Sequence, residues 1–342
     1  MKLKMKLENA FNEINDIGVI WVMDEAAKLG ICNGNPEWVN LGQGEPEVGK
    51  LEGGAERIEG FIIEPNDDRY GPTNGIEVLR KTIADHYNRL YRKDKISKYT
   101  SNNVSIAMGG RMALTRIFTV LGKIKLGYKT PEYPAYQDIL NYQLDRITPV
   151  CLPTKKAYNH SIPSAEFGEA INEYDLDAFL FSNPCNPTGH VIKGEELKAY
   201  LKIAKEKNCT LLIDEFYSHF IYENGEPSTA PISSAAFIED VNTDAVLIVD
   251  GLTKSFRYPG WRLAWVLGPL TVIENLGKAA SAIEVQLFVL VHLARHQLHW
   301  QLYPNFLLQL MDQVPMPIAN RDNEMIWLNH PQLKQHRYLH LL

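Results

Sequence analysis

The chain has 342 residues, 45% of them hydrophobic and 22% charged, the composition of a globular protein with one large domain and room for a smaller companion. A formal charge of −6 without a basic stripe excludes nucleic acid as the main partner, and four widely spaced cysteines (Cys32, Cys151, Cys185, Cys209) suit a reducing compartment and lack the paired spacing of a zinc site. No apolar run reaches membrane-span length, and the start MKLKMKLENAFNEIND lacks the apolar core of a signal peptide, so a cytoplasmic location with no membrane partner is expected.

Residues 1–51 read as an irregular arm contributing to a small domain: a helix over 9–29, a segment at 38–41, then the turn-rich GQGEPEVG. Gly42 and Gly44, beside Glu45-Pro46, suit either a plain loop or backbone passing close to something. From 52 to 282 apolar strands alternate with amphipathic helices, the pattern of an α/β domain with a mostly parallel, helix-covered sheet. Val78, Leu79, Ile83, Tyr87 and Leu90 predict a helix over 75–91 by their spacing. A strand over 104–108 then meets Gly109-Gly110 and a helix running to about Val120. Further strands are predicted around 127–129 and at 178–182, 210–213 and 245–249, with a helix at 195–207 leading into the third of these.

The last segment differs in character. After Gly277 the remaining 65 residues hold no glycine, although the preceding 277 hold all 23, and six of the ten histidines follow Glu284. Residues 283–342 are therefore expected to be a divergent or truncated tail, arising from an altered reading frame or gene after about Ala282, or from natural divergence. His292, His296 and His299 share helical spacing, but without identifiable supporting groups they are assigned no metal.

In a parallel sheet ligands bind beyond the carboxyl ends of the strands, and the chemistry-bearing residues fall there. The stretch 250–265, DGLTKSFRYPGWRLAW, follows a strand and places Lys254 on a turn, with Arg262 eight residues on at the start of another apolar run. Pro259-Gly260 supplies a reversal that brings the two together. A lysine amine for a carbonyl and a two-pronged, always-charged guanidinium for a phosphate are what pyridoxal phosphate requires; the plain alternative is two solvated cations flanking a loop. Gly109-Gly110 at a strand–helix junction offers backbone N–H groups and a positive helix end to an anion, or simply turns the chain. In LLIDEFYSHF the strand ends at Asp214, which either caps locally or keeps a pyridine nitrogen protonated, and Tyr217 can donate to a phenolate. The two Asn-Pro pairs of SNPCNPTG aim Asn186, with Cys185 read as buried filler. In PEYPAY, Tyr133 either stacks on a flat cofactor or packs in the core.

Taken in order, NLGQGEP, RYGPTNGIEVLR, Gly109-Gly110, PEYPAY, SNPCNPTG, IDEFY and LTKSFRYPGWRLAW resemble the fold-type I pyridoxal-phosphate enzymes, specifically the class I/II aminotransferases, over residues 39–282. The resemblance implies the large-domain fold of that class with an incomplete or divergent small domain. It implies Lys254 as the Schiff-base lysine and proton shuttle, Asp214 on the pyridine nitrogen, and Asn186 and Tyr217 on the 3′ oxygen. Tyr133 would stack on the ring, while Arg262, Thr253 and the N–H groups of Gly110 and Arg111, beside Gly109, would grip the phosphate. Tyr70 would reach the phosphate of a neighbouring subunit in a homodimer, and Gly42 would border the substrate. The bonds Thr130–Pro131 and Asn186–Pro187 would be cis. The implied reaction moves an amino group between an amino acid and a 2-oxo acid; a lyase, cyclase or decarboxylase using the same cofactor, or a truncated inactive homologue, are the alternatives. The chain departs from the pattern at Gly251, where many relatives carry a phosphate-binding serine, and in its tail, where no arginine matches the one that binds substrate carboxylate.

Overall fold

The computed structural model describes residues 18–31, 35, 37–38, 44–50, 57–58, 65, 69–223, 226–227 and 230–284. The chain divides into two compact units, Met1–Glu45 with Ala319–Leu342, and Pro46–Ile318. In the first, helix α1 spans Gly18–Lys28 and carries the described part of the helix predicted over 9–29. The segment 39–41, Gly42 and the whole tail after Glu284 lie outside the described residues.

The second unit is built on a seven-stranded sheet. Its strands are β1 (Val104–Ala107), β2 (Ile124–Thr130), β3 (Ile147–Pro153), β4 (Ala178–Ser182) and β5 (Thr210–Asp214), followed by β8 (Val246–Gly251) and β9 (Ala264–Leu267). A small separate hairpin pairs β6 (Tyr222–Glu223) with β7 (Glu226–Pro227). The order across the sheet is β1-β9-β8-β5-β4-β2-β3. Every pair from β8 to β3 is parallel, and β9 alone runs antiparallel, to both β1 and β8.

Helices cover both faces, which is why the central strands are apolar throughout rather than alternating with polar residues. Along β4, Phe179 and Phe181 face one core while Ala178 and Leu180 face the other. Along β8 the same alternation separates Val246 and Ile248 from Leu247 and Val249. The first core is closed by α2 (Glu77–Tyr91), α5 (Ser164–Tyr174) and α6 (Gly194–Glu206) through residues such as Leu79, Phe167 and Leu197. The second is closed by α3 (Gly110–Val120), α4 (Ala135–Leu140) and α7 (Leu270–Ile283) through Leu114, Tyr136 and Leu276. Buried Arg116 on α3 pairs with Glu284 just past α7 and also donates to Ser105 Oγ at 3.2 Å, tying those two helices to β1.

Most predicted elements match to within two residues: the helix predicted over 75–91 starts at Glu77 and the strand predicted at 245–249 extends to Gly251, while the strand predicted around 127–129 begins three residues earlier, at Ile124. Strand β3 escapes prediction because ITPVCLP carries two prolines, which are tolerated on this edge strand. Helix α7 escapes it because Gly277 interrupts the pattern; a Cβ there would fall 2.5 Å from the Asn74 side chain, so the glycine serves close packing. Cis bonds occur at Thr130–Pro131 and Asn186–Pro187, as expected, and also at Asn183–Pro184. No helix among the described residues is long and apolar enough to cross a membrane.

Beneath the carboxyl ends of β5 and β8 lies a buried polar layer. Trp265 Nε1 donates to Tyr87 Oη at 3.3 Å, and Tyr87 donates to Asp250 Oδ2 at 3.1 Å, linking β9, α2 and β8. Glu215 is fully buried; its Oε1 accepts from Ser234 N (2.8 Å) and Oγ (2.6 Å), while its Oε2 has no hydrogen-bond partner. Burial pushes this carboxyl up to about 7, against the opposing effect of the serine hydrogen bonds. A carboxyl raised above its unfolded value contributes stability that is present below about pH 4.5 and lost as pH rises through about 7. The stability advantage of Glu215→Gln over the wild type is therefore expected to grow, by on the order of a few kcal/mol, between about pH 5 and about pH 8. Urea denaturation of both proteins at the two pH values measures it, and a pH-independent difference would contradict it.

Candidate active site

Six of the seven sheet strands present residues at one edge. Gly109, Gly110 and Arg111 follow β1, Tyr133 follows β2, Asn186 follows β4, Asp214 and Tyr217 close β5, and Thr253 and Lys254 follow β8. Arg262 sits just before β9, and because β9 is antiparallel its amino end lies at the carboxyl edge of β8. A parallel strand would have carried Arg262 to the opposite edge. A short 3₁₀ turn over Pro259–Trp261 makes the reversal, and Arg262 leaves it with φ +50°.

The guanidinium of Arg262 lies directly over Gly109. A Cβ built on Gly109 would fall 2.1 Å from Nη2 and 2.7 Å from Cζ, and the glycine itself has φ +85°. Gly109 is also the N-cap of α3, with no side chain capping the helix. The first N–H groups of a helix have no partners within it, so a cation and a set of free backbone donors converge at this point. The remaining Arg262 contact, Nη1 to the Pro259 carbonyl at 3.0 Å, steadies the side chain without neutralising it. Thr253 Oγ1 is buried and has no hydrogen-bond partner, a hydroxyl that a phosphate oxygen would satisfy.

Phe216, which the sequence reading passed over, draws three strand ends together. Cβ atoms on Gly110 and Gly251 would meet its ring at 2.6 Å and 2.9 Å, so both glycines exist to admit it. Gly251 has a second reason: its Cβ would lie 2.5 Å from the Leu263 carbonyl oxygen, backbone that cannot step aside. A serine is thus sterically unsuited to position 251 in this chain.

Asp214 is buried. Tyr136 Oη donates to its Oδ2 at 2.8 Å and the Phe216 N–H donates to its Oδ1 at 3.2 Å. Burial pushes its carboxyl up to about 6, opposed by those two hydrogen bonds and by the charge of Lys254. Tyr136, also missed from sequence, is marked only by being the second aromatic of PEYPAY. Lys254 Nζ stands 5.8 Å from the centre of the Tyr217 ring. The Tyr217 hydroxyl is pushed up to about 12, first by burial and then by Asp214 and Tyr133, so it remains a donor at neutral pH. Tyr133 packs edge-on to Tyr136 with ring centres 5.5 Å apart, and its hydroxyl accepts from Arg111 Nε and Nη2 at 3.2 Å. The loop carrying Asn186 is fixed from within: Asn186 N–H donates to Ser182 Oγ at 2.9 Å, and Asn183 exchanges hydrogen bonds with Ile192. Tyr70 is 86% exposed, and Gly42 lies outside the described residues. The reading of Cys185 as filler is corrected: its sulfur accepts a hydrogen bond from buried Lys129.

An amine, a buried carboxylate, a guanidinium over a helix N-terminus and an unsatisfied hydroxyl at one sheet edge match a cofactor with an aldehyde, a ring nitrogen and an anionic tail. Residues 36–296 match the aminotransferase class I and II family, and the chain belongs to it. Members of that family use pyridoxal 5′-phosphate. The aspartate aminotransferase of Pyrococcus abyssi is 26% identical over 255 residues, covering 72% of this chain and 61% of that protein. The aspartate aminotransferase of Sulfurisphaera tokodaii is 28% identical over 255 residues, 72% of this chain and 58% of its own length. The chain thus spans about three-fifths of the length of these curated relatives. In fold it is similar to the Thermus thermophilus aspartate aminotransferase solved with maleate, with a TM-score of 0.65 at 20% identity over 87% of this chain and 74% of that one.

Gly109→Ala would put a Cβ on a residue at φ +85°, ψ +164°, a glycine-only region, at about 1–3 kcal/mol of stability, and would push the guanidinium off the helix end. The expected result is a folded protein whose affinity for pyridoxal phosphate drops about tenfold or more, the loss of one charge-assisted contact. Equilibrium titration measures it, and unchanged affinity would contradict the arrangement.

Proposed function

We propose that this chain is a pyridoxal-phosphate-dependent aminotransferase, moving an amino group between an amino acid and a 2-oxo acid. The observation that carries the reading is the placement of Lys254, Asp214 and Arg262 at one sheet edge, with Arg262 lying on the N-cap of α3. The cofactor supplies an aldehyde for amine exchange and a ring that accepts electrons from the substrate's Cα. The protein supplies the rest. Arg262, Thr253 Oγ1 and the N–H groups of Gly110 and Arg111 bind the phosphate. Asp214, held by Tyr136 and the Phe216 N–H, bonds the ring nitrogen and keeps it protonated; a cationic partner there favours the ionised carboxylate that burial alone disfavours. Asn186 and Tyr217 donate to the 3′ oxygen, and Tyr133 covers one ring face. Lys254 Nζ would be the amine that meets the aldehyde and the group that moves the proton at the substrate's Cα.

Residues 52–282 form the cofactor domain in this reading. The exposure of Tyr70 suits a role across a subunit boundary, in a homodimer whose sites are shared. The setting is cytoplasmic. The names of the relatives make aspartate the first amino acid to try.

A half-reaction tests this. Protein loaded with cofactor and given an amino acid without an acceptor should release one equivalent of 2-oxo acid per site and retain the amino group until a 2-oxo acid is added. Asp214→Asn should lower kcat by roughly 100-fold or more, since the buried carboxylate acts where charge develops. Free ammonia, carbon dioxide or an eliminated side-chain fragment in place of retained nitrogen would overturn the transferase assignment.

A further inference from the structure

A second buried cluster lies where β2 ends and the loop after β4 begins, and the mechanism above leaves it unused. Lys129, Cys185, Glu132 and Ser182 are at most 9% exposed. Lys129 Nζ is 2.9 Å from Glu132 Oε2 and 2.8 Å from Cys185 Sγ. The sulfur faces Glu132 Oε1 at 3.6 Å and the Pro131 carbonyl oxygen at 3.9 Å. Glu132 also accepts from Ser182 Oγ, from Ser182 N at 3.2 Å and from Tyr133 N at 3.2 Å. The ion pair with Glu132 satisfies the charge of Lys129. It does not explain why the amine is also turned onto a sulfur, which is a weak acceptor. Amine and thiol are instead held at a separation that one bridging atom spans, with a carboxylate in reach of both.

We propose that Lys129 and Cys185 are a redox pair that hydrogen peroxide joins covalently through a single oxygen, as Nζ–O–Sγ. Glu132 first takes one proton from the ammonium, leaving a neutral amine. The thiol attacks one peroxide molecule: an S–O bond forms, the O–O bond breaks, sulfur loses two electrons, and the thiol proton leaves with the displaced hydroxide as water. The amine attacks a second peroxide in the same way, giving a hydroxylamine and a second water as nitrogen loses two electrons. The hydroxylamine oxygen then attacks the sulfenic sulfur, and the sulfenic hydroxyl departs with the hydroxylamine O–H proton as a third water. Thiol, amine and two peroxides thus yield the bridge and three waters, with four electrons passed to peroxide. Two equivalents of a dithiol reverse the bridge to thiol, amine and water, which places it among the reversible states of cysteine oxidation.

Burial selects the oxidant: a molecule the size of peroxide reaches a cysteine 5% exposed, whereas a protein thiol does not. The bridge also touches the candidate active site. It consumes the positive charge that Glu132 faces, and Glu132 holds the Tyr133 N–H and, through Ser182 Oγ, the Asn186 N–H. Oxidation would therefore tie together the two loops that carry Tyr133 and Asn186.

The test is mass mapping of the full-length protein after peroxide treatment and digestion without reductant. The expected product joins the peptides containing Lys129 and Cys185, heavier than their sum by one oxygen and lighter by two hydrogens, and dithiothreitol returns both peptides. Cys185→Ser, close in size, should lose the product entirely, and Lys129→Gln should do the same where it folds. The proposal is overturned if Cys185 is oxidised while Lys129 stays unmodified, or if the link forms without the oxygen. It is equally overturned if neither peptide changes under conditions that oxidise the exposed Cys151.

Discussion

The contact between the Arg262 guanidinium and the bare Cα of Gly109 is the constraint on which the rest of the site depends. It needs three things from the fold at once. The turn after β1 must place a residue without a Cβ and with positive φ at position 109, α3 must begin immediately after it, and β9 must reverse direction so that its first residues meet that junction. Each is locally unremarkable. Together they set a fixed cation against unsatisfied helix donors at the edge where five parallel strands also end, and an anion held there has its position determined before any side chain closes around it.

Behind that edge the structure uses steric fit rather than flexible loops to hold the functional groups. Phe216 fills space that two glycines, Gly110 and Gly251, leave open, and in doing so fixes the start of α3, the end of β5 and the end of β8 relative to one another. Its own N–H bonds Asp214, so the residue that sets the packing also orients the buried carboxylate. The Trp265–Tyr87–Asp250 chain continues the same pattern one layer down, beside the turn that presents Lys254. Interiors this tightly packed transmit displacement, so a methyl group added at Gly110 or Gly251 would be felt at the amine and carboxylate together.

Much of this was legible in the sequence, because the central strands are buried on both faces and so read as continuous apolar runs ending in polar or glycine-rich turns. Asp214, Lys254 and Gly109-Gly110 stand at such endings and declare themselves. What escaped notice escaped for physical reasons. Phe216 and Tyr136 look like ordinary core aromatics, and only the geometry of the glycines and of Asp214 gives them their roles. The reversal into β9, by contrast, is signalled by Pro259-Gly260, and β9 does run antiparallel to β8. Gly251 reads as a missing hydroxyl, when the Leu263 carbonyl leaves it no alternative. The Lys129–Glu132 spacing was visible, but its meeting with Cys185 joins positions 56 residues apart that only the sheet brings together.

Every role proposed for the site depends on a single amine being the point of cofactor attachment. The most direct measurement is to add pyridoxal phosphate to the purified chain, reduce with borohydride, and map the modified peptide. One stable adduct per chain, on Lys254 and absent from Lys254→Ala, is the predicted result. Labelling scattered over surface lysines, or labelling unchanged by that substitution, would contradict it.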